Sequence, residues 1–354
     1  MLPLAVSGMD ETPLVSRIIL TRRLLRYSQC ERAKTLAVTL RMAIFRSSVL
    51  MVIACLTLAS GCVRLPNTGQ TSLRPNSLSE LREYLLSHNA DLEQFRLRGP
   101  FAVAVHKDYE LRLTATERIN TDLYLSSPAE KAPLVIFLHG YDSSKEAHSF
   151  QAMHVASWGM HCLALQLPNK GQWTSNARTL ATIVNFIYRS PQTIDSRIDV
   201  NKIILVGHSF GGSSVAMTLA EGTRAAGGIL LDPAAVGKDL PEFLRRINTP
   251  VMLLGADEHL SVARNRDYFY RFVRSGIAEV SIKDATHEDA QYPSESSLQT
   301  FGSDVETTEE LQITFVSALT SAAFSLSATG KFDYAWTSFA DVLKNGKFFN
   351  AKKK

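Results

Sequence analysis

The run Ile203-Ile204-Leu205-Val206-Gly207-His208-Ser209-Phe210-Gly211-Gly212 places a serine midway between two glycines, directly after four large apolar residues. The pentapeptide Gly-x-Ser-x-Gly occurs by chance in many chains, so its context decides. Here an apolar, strand-like run precedes it and a helix-compatible stretch follows it. A serine at a sharp strand-to-helix turn is held in a strained backbone and projects its hydroxyl above the sheet. Gly207 and Gly211 are then required because strand and helix approach closely. The amino end of the helix offers free amides and positive partial charge, both favourable to an oxyanion. The chemistry predicted for Ser209 is nucleophilic attack.

A serine hydroxyl attacks poorly until a base takes its proton. Two histidines follow Ser209 in the chain, His259 and His287. His287 lies just beyond the last predicted strand, in Lys283-Asp284-Ala285-Thr286-His287-Glu288, a loop position suited to the base. His259 follows the preceding strand, a place more suited to an acid. One acid suffices to orient the imidazole and stabilise its charged form. Asp232, in Leu231-Asp232-Pro233, and Asp257 or Glu258, in Gly255-Ala256-Asp257-Glu258-His259, both stand at strand ends. Asp257 occupies the commoner place, and Asp232 could equally cap a helix ahead of Pro233. An oxyanion also needs two amide donors. Phe210 is one; Tyr141, in His139-Gly140-Tyr141-Asp142 after the apolar run 134–138, is the other. His139 reads as a buttress of that loop. Tyr141, Trp173 and Phe210 are candidates for lining an acyl pocket. The remaining histidines, among them His148, His154, His161 and His208, have no metal-ligand spacing. The four cysteines form neither a zinc pattern nor a CxxC pair. No metal or cofactor is implied.

The elements that must hold these residues alternate. Predicted strands at 101–105, 111–114 and 122–125 form an entry region, the first two antiparallel. Continuous apolar strands follow at 134–138, 162–167, 203–206, 228–231, 251–254 and 279–282. Helical stretches at 144–158, 176–188 and 210–221 separate them, and 305–325 reads as a packing helix. This alternation predicts an α/β fold with a mostly parallel sheet covered on both faces.

Residues 42–61 have the layout of a secretory signal: Arg41 and Arg46, an apolar stretch from Val49 to Leu58, then Ala59-Ser60-Gly61. The apolar stretch is too short to span a bilayer comfortably. Residues 1–61 hold eight Lys/Arg against three Asp/Glu, so the overall charge of +4 falls to about −1 for the remainder. A nearly neutral body argues against nucleic acid as a partner. The expected organisation is a non-native or unstructured extension at 1–41, the signal at 42–61, a polar tether and short helix at 62–98, a catalytic domain at 99–343 and a flexible basic tail at 344–354.

The ending Leu-Ala-Ser-Gly-Cys resembles the lipobox of bacterial lipoproteins, which implies lipidation of Cys62 and attachment to an envelope membrane. The stretch from 132 to 293 resembles the α/β-hydrolases that include platelet-activating factor acetylhydrolase, chlorophyllase and the cutinase-like polyesterases. Gly-His-Ser-Phe-Gly-Gly at 207–212 is similar to the acetylhydrolase form, and Leu-Asp-Pro at 231–233 to the acid-bearing segment of chlorophyllases. The resemblance implies the α/β-hydrolase fold, a small or lipid-like ester as substrate, and Asp232 as the acid. The polyesterases carry the acid one strand later, in Gly-Ala-x-x-Asp, where this chain has His259. An amidase, peptidase or thioesterase on the same residues, or a catalytically silent protein of this fold, are the other classes the sequence admits.

Overall fold

The computed structural model describes residues 75–257, 263–274, 276–293 and 305–354. The proposed signal, Cys62, Glu258 and His259 lie outside them. In chain order the elements are α1 (Leu78–Ser87), β1 (Val103–Arg112), β2 (Arg118–Ser126), β3 (Ala132–Leu138), α2 (Ser149–Ser157), β4 (His161–Leu165), α3 (Trp173–Arg189), β5 (Ile198–His208), α4 (Phe210–Ala220), β6 (Gly227–Leu231), α5 (Leu240–Leu244), β7 (Val251–Gly255), α6 (Ala263–Phe272), β8 (Ile277–Ile282), α7 (Val305–Thr329), α8 (Asp333–Ser338), α9 (Ala340–Lys344) and β9 (Phe348–Lys353).

The described strands form one nine-stranded sheet in the order β1-β2-β4-β3-β5-β6-β7-β8-β9. β4, β3, β5, β6, β7 and β8 run parallel, and β1, β2 and β9 add antiparallel edges. The central strands read as unbroken apolar runs because both faces are covered. Val135, Phe137, Val206 and Leu254 pack on one side with α2 and the long α7; Leu134, Ile136, Leu205 and Leu253 pack on the other with α3 and α4. Alternate side chains of a strand point to opposite faces, so one run feeds two cores. Residues 308–329 of α7 are long and apolar enough to cross a membrane, yet 83% of the 18-residue apolar stretch within them is buried inside the fold. It is a core helix, as its spacing predicted.

Two expectations are corrected. Segments 101–105 and 111–114 are not separate strands. They belong to one strand, β1, pairing antiparallel with β2 through a register shift between His106 and Tyr109, where Asp108 takes φ 52°. The bulge breaks the apolar alternation and so makes one strand look like two. The tail at 344–354 is not frayed. Phe348–Lys353 pairs with β8, and Phe348 is buried against Phe339. Its lysines stand on an edge strand, where charge discourages pairing with another chain.

Candidate active site

Ser209 occupies the turn between β5 and α4 with φ 52° and ψ −120°. Such a backbone is costly for a residue with a Cβ and persists only where its surroundings enforce it. Here the Ser209 amide donates to the Leu231 carbonyl at 3.1 Å, and its own carbonyl accepts from Ala234 and Gly212, each at 3.0 Å. A Cβ at Gly207 would overlap the Gly211 carbonyl, and one at Gly211 would overlap the carbonyls of Leu138 and His139. Neither position has room for a side chain. Three other non-glycine residues with positive φ sit at carboxyl ends of parallel strands: Asp142 (53°), Asp232 (37°) and Asp284 (62°). All three, like Ser209, lie beyond the carboxyl ends of parallel strands.

His287 follows β8, and its Nδ1 lies 2.6 Å from Asp232 Oδ2. A carboxylate only accepts, so Nδ1 carries the proton and Nε2 keeps a lone pair. Asp232 is fully buried, and its Oδ1 accepts from the Ala256 amide at 3.1 Å, with Arg266 Nε at 3.6 Å. Arg266 is itself buried, donates to Ser281 Oγ at 2.8 Å and to the Ala256 carbonyl, and lies where a Cβ on Gly255 would collide with it. No helix begins at Pro233, so Asp232 is not a helix cap. Asp257 is placed differently. Its Oδ2 accepts from the Asp284 amide at 2.8 Å, and its own amide donates to Ala285. It braces the turn leading to His287 and does not touch the ring's Nδ1.

The loop after β3 abuts the serine: a Cβ on Gly140 would stand 3.0 Å from Ser209 Cβ and 3.2 Å from His208 Nδ1. The amides of Tyr141 and Phe210 donate to no acceptor among the described residues, and the two rings meet at 5.3 Å between centroids. His139 is buried behind the loop, with Nδ1 2.9 Å from the Gly140 carbonyl and Nε2 accepting from the Leu167 amide at 3.2 Å. Burial holds its pKa below the usual histidine value. Asn169, unremarked in the sequence, ties the same loop by donating to the Ser143 carbonyl at 2.9 Å and accepting from the Asp142 amide at 2.7 Å. Just beyond, Lys145 is buried among Asp122 (2.8 Å), Asp108 (3.0 Å) and Glu146 (2.6 Å). Burial opposes its charge, but those carboxylates outweigh it and raise its pKa. The acidic group Asp108-Asp122-Glu146 is thus the cradle of a lysine. Tyr141, Trp173 and Phe210 share one depression beside Ser214, with a cavity volume of only about 10 Å³. Tyr141 is 53% exposed at its lip.

Residues 135–340 match the alpha/beta hydrolase family. Among curated proteins, the chain is 25% identical over 195 residues to Cutinase 1 of Thermobifida cellulosilytica and to the cutinase of Thermobifida fusca (strain YX). Those alignments take in 53% of this chain and 72% and 63% of the cutinases. It is 33% identical over 112 residues to a protein of Mycobacterium phage D29 named for non-heme haloperoxidase activity, covering 31% of this chain and 39% of that one. With a family match spanning more than half its length, and the sheet order and strand-end site just described, this chain belongs to the alpha/beta hydrolase family.

Proposed function

We propose that the protein hydrolyses carboxylic esters through an acyl-enzyme. The observation that carries this reading is the 2.6 Å contact from His287 Nδ1 to Asp232 Oδ2, beyond the carboxyl ends of the same parallel strands as a serine held at φ 52°. Ser209 Oγ attacks the ester carbonyl while His287 Nε2 takes its proton. The amides of Phe210 and Tyr141 receive the charge that develops on the carbonyl oxygen. His287 then protonates the leaving alcohol, and water repeats the sequence to release the acid. Asp232 keeps the proton on Nδ1 and stabilises the imidazolium without taking the proton itself. Its place directly after β6 is the one that the likeness to acetylhydrolases and chlorophyllases implies.

The cutinase likeness supports an ester as substrate. Labelling with a fluorophosphonate probe tests the nucleophile: wild type is labelled and Ser209→Ala is not. Equal labelling of both would remove Ser209, and none in either would remove the enzymatic reading. The composition of 42–62 supports export and a lipid on Cys62, tethering the enzyme to an envelope membrane. Incorporation of a palmitate analogue that is lost in Cys62→Ala tests that; unlabelled wild type would refute it.

A further inference from the structure

A line of buried side chains runs behind His287. Gln151, on α2, donates from Nε2 to the Ala290 carbonyl at 3.0 Å, in the short turn Glu288–Ala290 that follows His287. A carbonyl only accepts, so the amide nitrogen must face Ala290 and Oε1 must face the other way. That oxygen lies 2.6 Å from His148 Nδ1, which therefore bears the His148 proton. On the other side, the His208 ring lies 4.5 Å from the His287 ring, and His208 Nε2 donates to the His287 carbonyl at 3.0 Å. The His208 proton is then on Nε2. Both rings are buried, at 0% and 2% exposure. Burial lowers the His148 pKa to about 4 and holds His208 far below the usual value, with the neighbouring His287, His148 and His139 adding to the effect on His208.

Each ring is left with one lone-pair nitrogen, His148 Nε2 and His208 Nδ1. Both are buried without a hydrogen-bond partner among the described residues, in rings 6.4 Å apart. A buried acceptor left unmet costs about 1–3 kcal/mol. Two acceptors in neighbouring rings are matched by one molecule with two O–H donors.

We propose that Gln151, His148 and His208 are positioning residues for His287, joined through one buried water between His148 Nε2 and His208 Nδ1 into a belt that grips the base-bearing turn at both His287 and Ala290. This rests on the reading of His287 as the base. The belt acts through backbone carbonyls, so it fixes where the imidazole stands without adding charge beside the imidazolium formed at each turnover. A misplacement of about 1 Å in such a group costs up to about 100-fold in rate.

The test is steady-state hydrolysis of p-nitrophenyl acetate by Gln151→Met, His208→Leu, His208→Gln and His287→Ala, with circular dichroism and melting curves to establish folding. Gln151→Met and His208→Leu are expected to lose about 30-fold in kcat with KM within about twofold. His208→Gln, whose amide still donates to the His287 carbonyl, is expected to recover to within about fivefold of wild type. Should His208→Leu fail to fold, Gln151→Met carries the test. Unchanged kcat in folded Gln151→Met, or equal losses in His208→Leu and His208→Gln, would overturn the proposal. An unaffected His287→Ala would instead remove the base assignment beneath it. Nitrogen-15 spectra of the imidazoles are expected to show the Nδ1–H form for His148 and the Nε2–H form for His208, and the opposite tautomers would refute the belt. A crystal structure should show a water within about 3 Å of both free nitrogens; ring nitrogens in direct contact would overturn the bridge.

Discussion

Replacing Asp232 by asparagine changes one oxygen to an NH2 group, and the surroundings decide which way the amide turns. Oδ1 accepts from the Ala256 amide at 3.1 Å and lies 3.6 Å from Arg266 Nε. An NH2 there would set donor against donor, with the Arg266 charge opposing it as well. The amide oxygen therefore stays on that side, and the NH2 turns to His287 Nδ1, now 2.6 Å away. It can meet Nδ1 only as a donor, so the imidazole must move its proton to Nε2. That nitrogen can then no longer take the proton of Ser209. The wrong tautomer costs a serine triad about 10³–10⁴ in kcat, or about 4–5.5 kcal/mol of transition-state stabilisation. Asp257→Asn makes the opposite comparison. Its Oδ2 accepts only from the Asp284 amide, so the amide oxygen can replace it, and the loss should stay within about threefold. The assay is kcat and KM on p-nitrophenyl acetate for both variants, with melting curves run in parallel. A folded Asp232→Asn retaining a tenth of wild-type kcat, or a larger loss in Asp257→Asn, would refute the reasoning.

A Cβ on Gly211 overlaps two carbonyl oxygens of the β3 strand end, so Gly211→Ala should destabilise the fold by about 3 kcal/mol in urea titrations; a change below about 0.5 kcal/mol would contradict the packing. Stability should fall with acidity between about pH 6.5 and 4. His148 and His161 are fully buried, with pKa values lowered to about 4 by burial, so the unfolded chain binds their protons first. Each contributes stability that is complete above pH 6.5 and lost as the pH falls to about 4, for about 3 kcal/mol apiece. Urea midpoints unchanged from pH 7 to 5 would show that these rings are already charged or exposed.

Much of the site was legible because it is local. The bend at Ser209 needs glycines at fixed offsets, and the apolar run before it and helix after it are contiguous with it, so a ten-residue window carries the whole argument. His287 was reachable by its position after a strand. Position alone leaves Asp232 and Asp257 open, since both stand at strand ends, and only the likeness of Leu-Asp-Pro at 231–233 to chlorophyllases favours Asp232. Sheet order does not decide it either, since β7, which precedes Asp257, is the neighbour of β8; the carboxylate that meets His287 Nδ1 is nevertheless that of Asp232. Likewise, β9 is polar at three of its six positions and looks solvated until β8 offers it an edge. His148, Gln151 and His208 carry no spacing signal, because they come from two elements and meet only after α2 packs on the sheet. Neither His148 nor His208 has metal-ligand spacing along the chain. Their proximity is a fact of tertiary structure that no window of sequence contains.

The four left-handed bends beyond the carboxyl ends of the parallel strands have a consequence for the history of the chain. Holding a non-glycine residue in such torsions costs about 1–3 kcal/mol each, a large share of the about 5–15 kcal/mol that keeps a domain folded. At Ser209, glycine would relieve that cost with a single substitution. A lineage under pressure only to survive heat, or drifting after its chemistry had lapsed, would therefore shed this serine early. Directed evolution of the protein for thermal endurance, without a screen for turnover, should find Ser209→Gly among its first gains. An enzyme of this design carries its own record of use: the serine stays only while the work it does outweighs the torsion it endures.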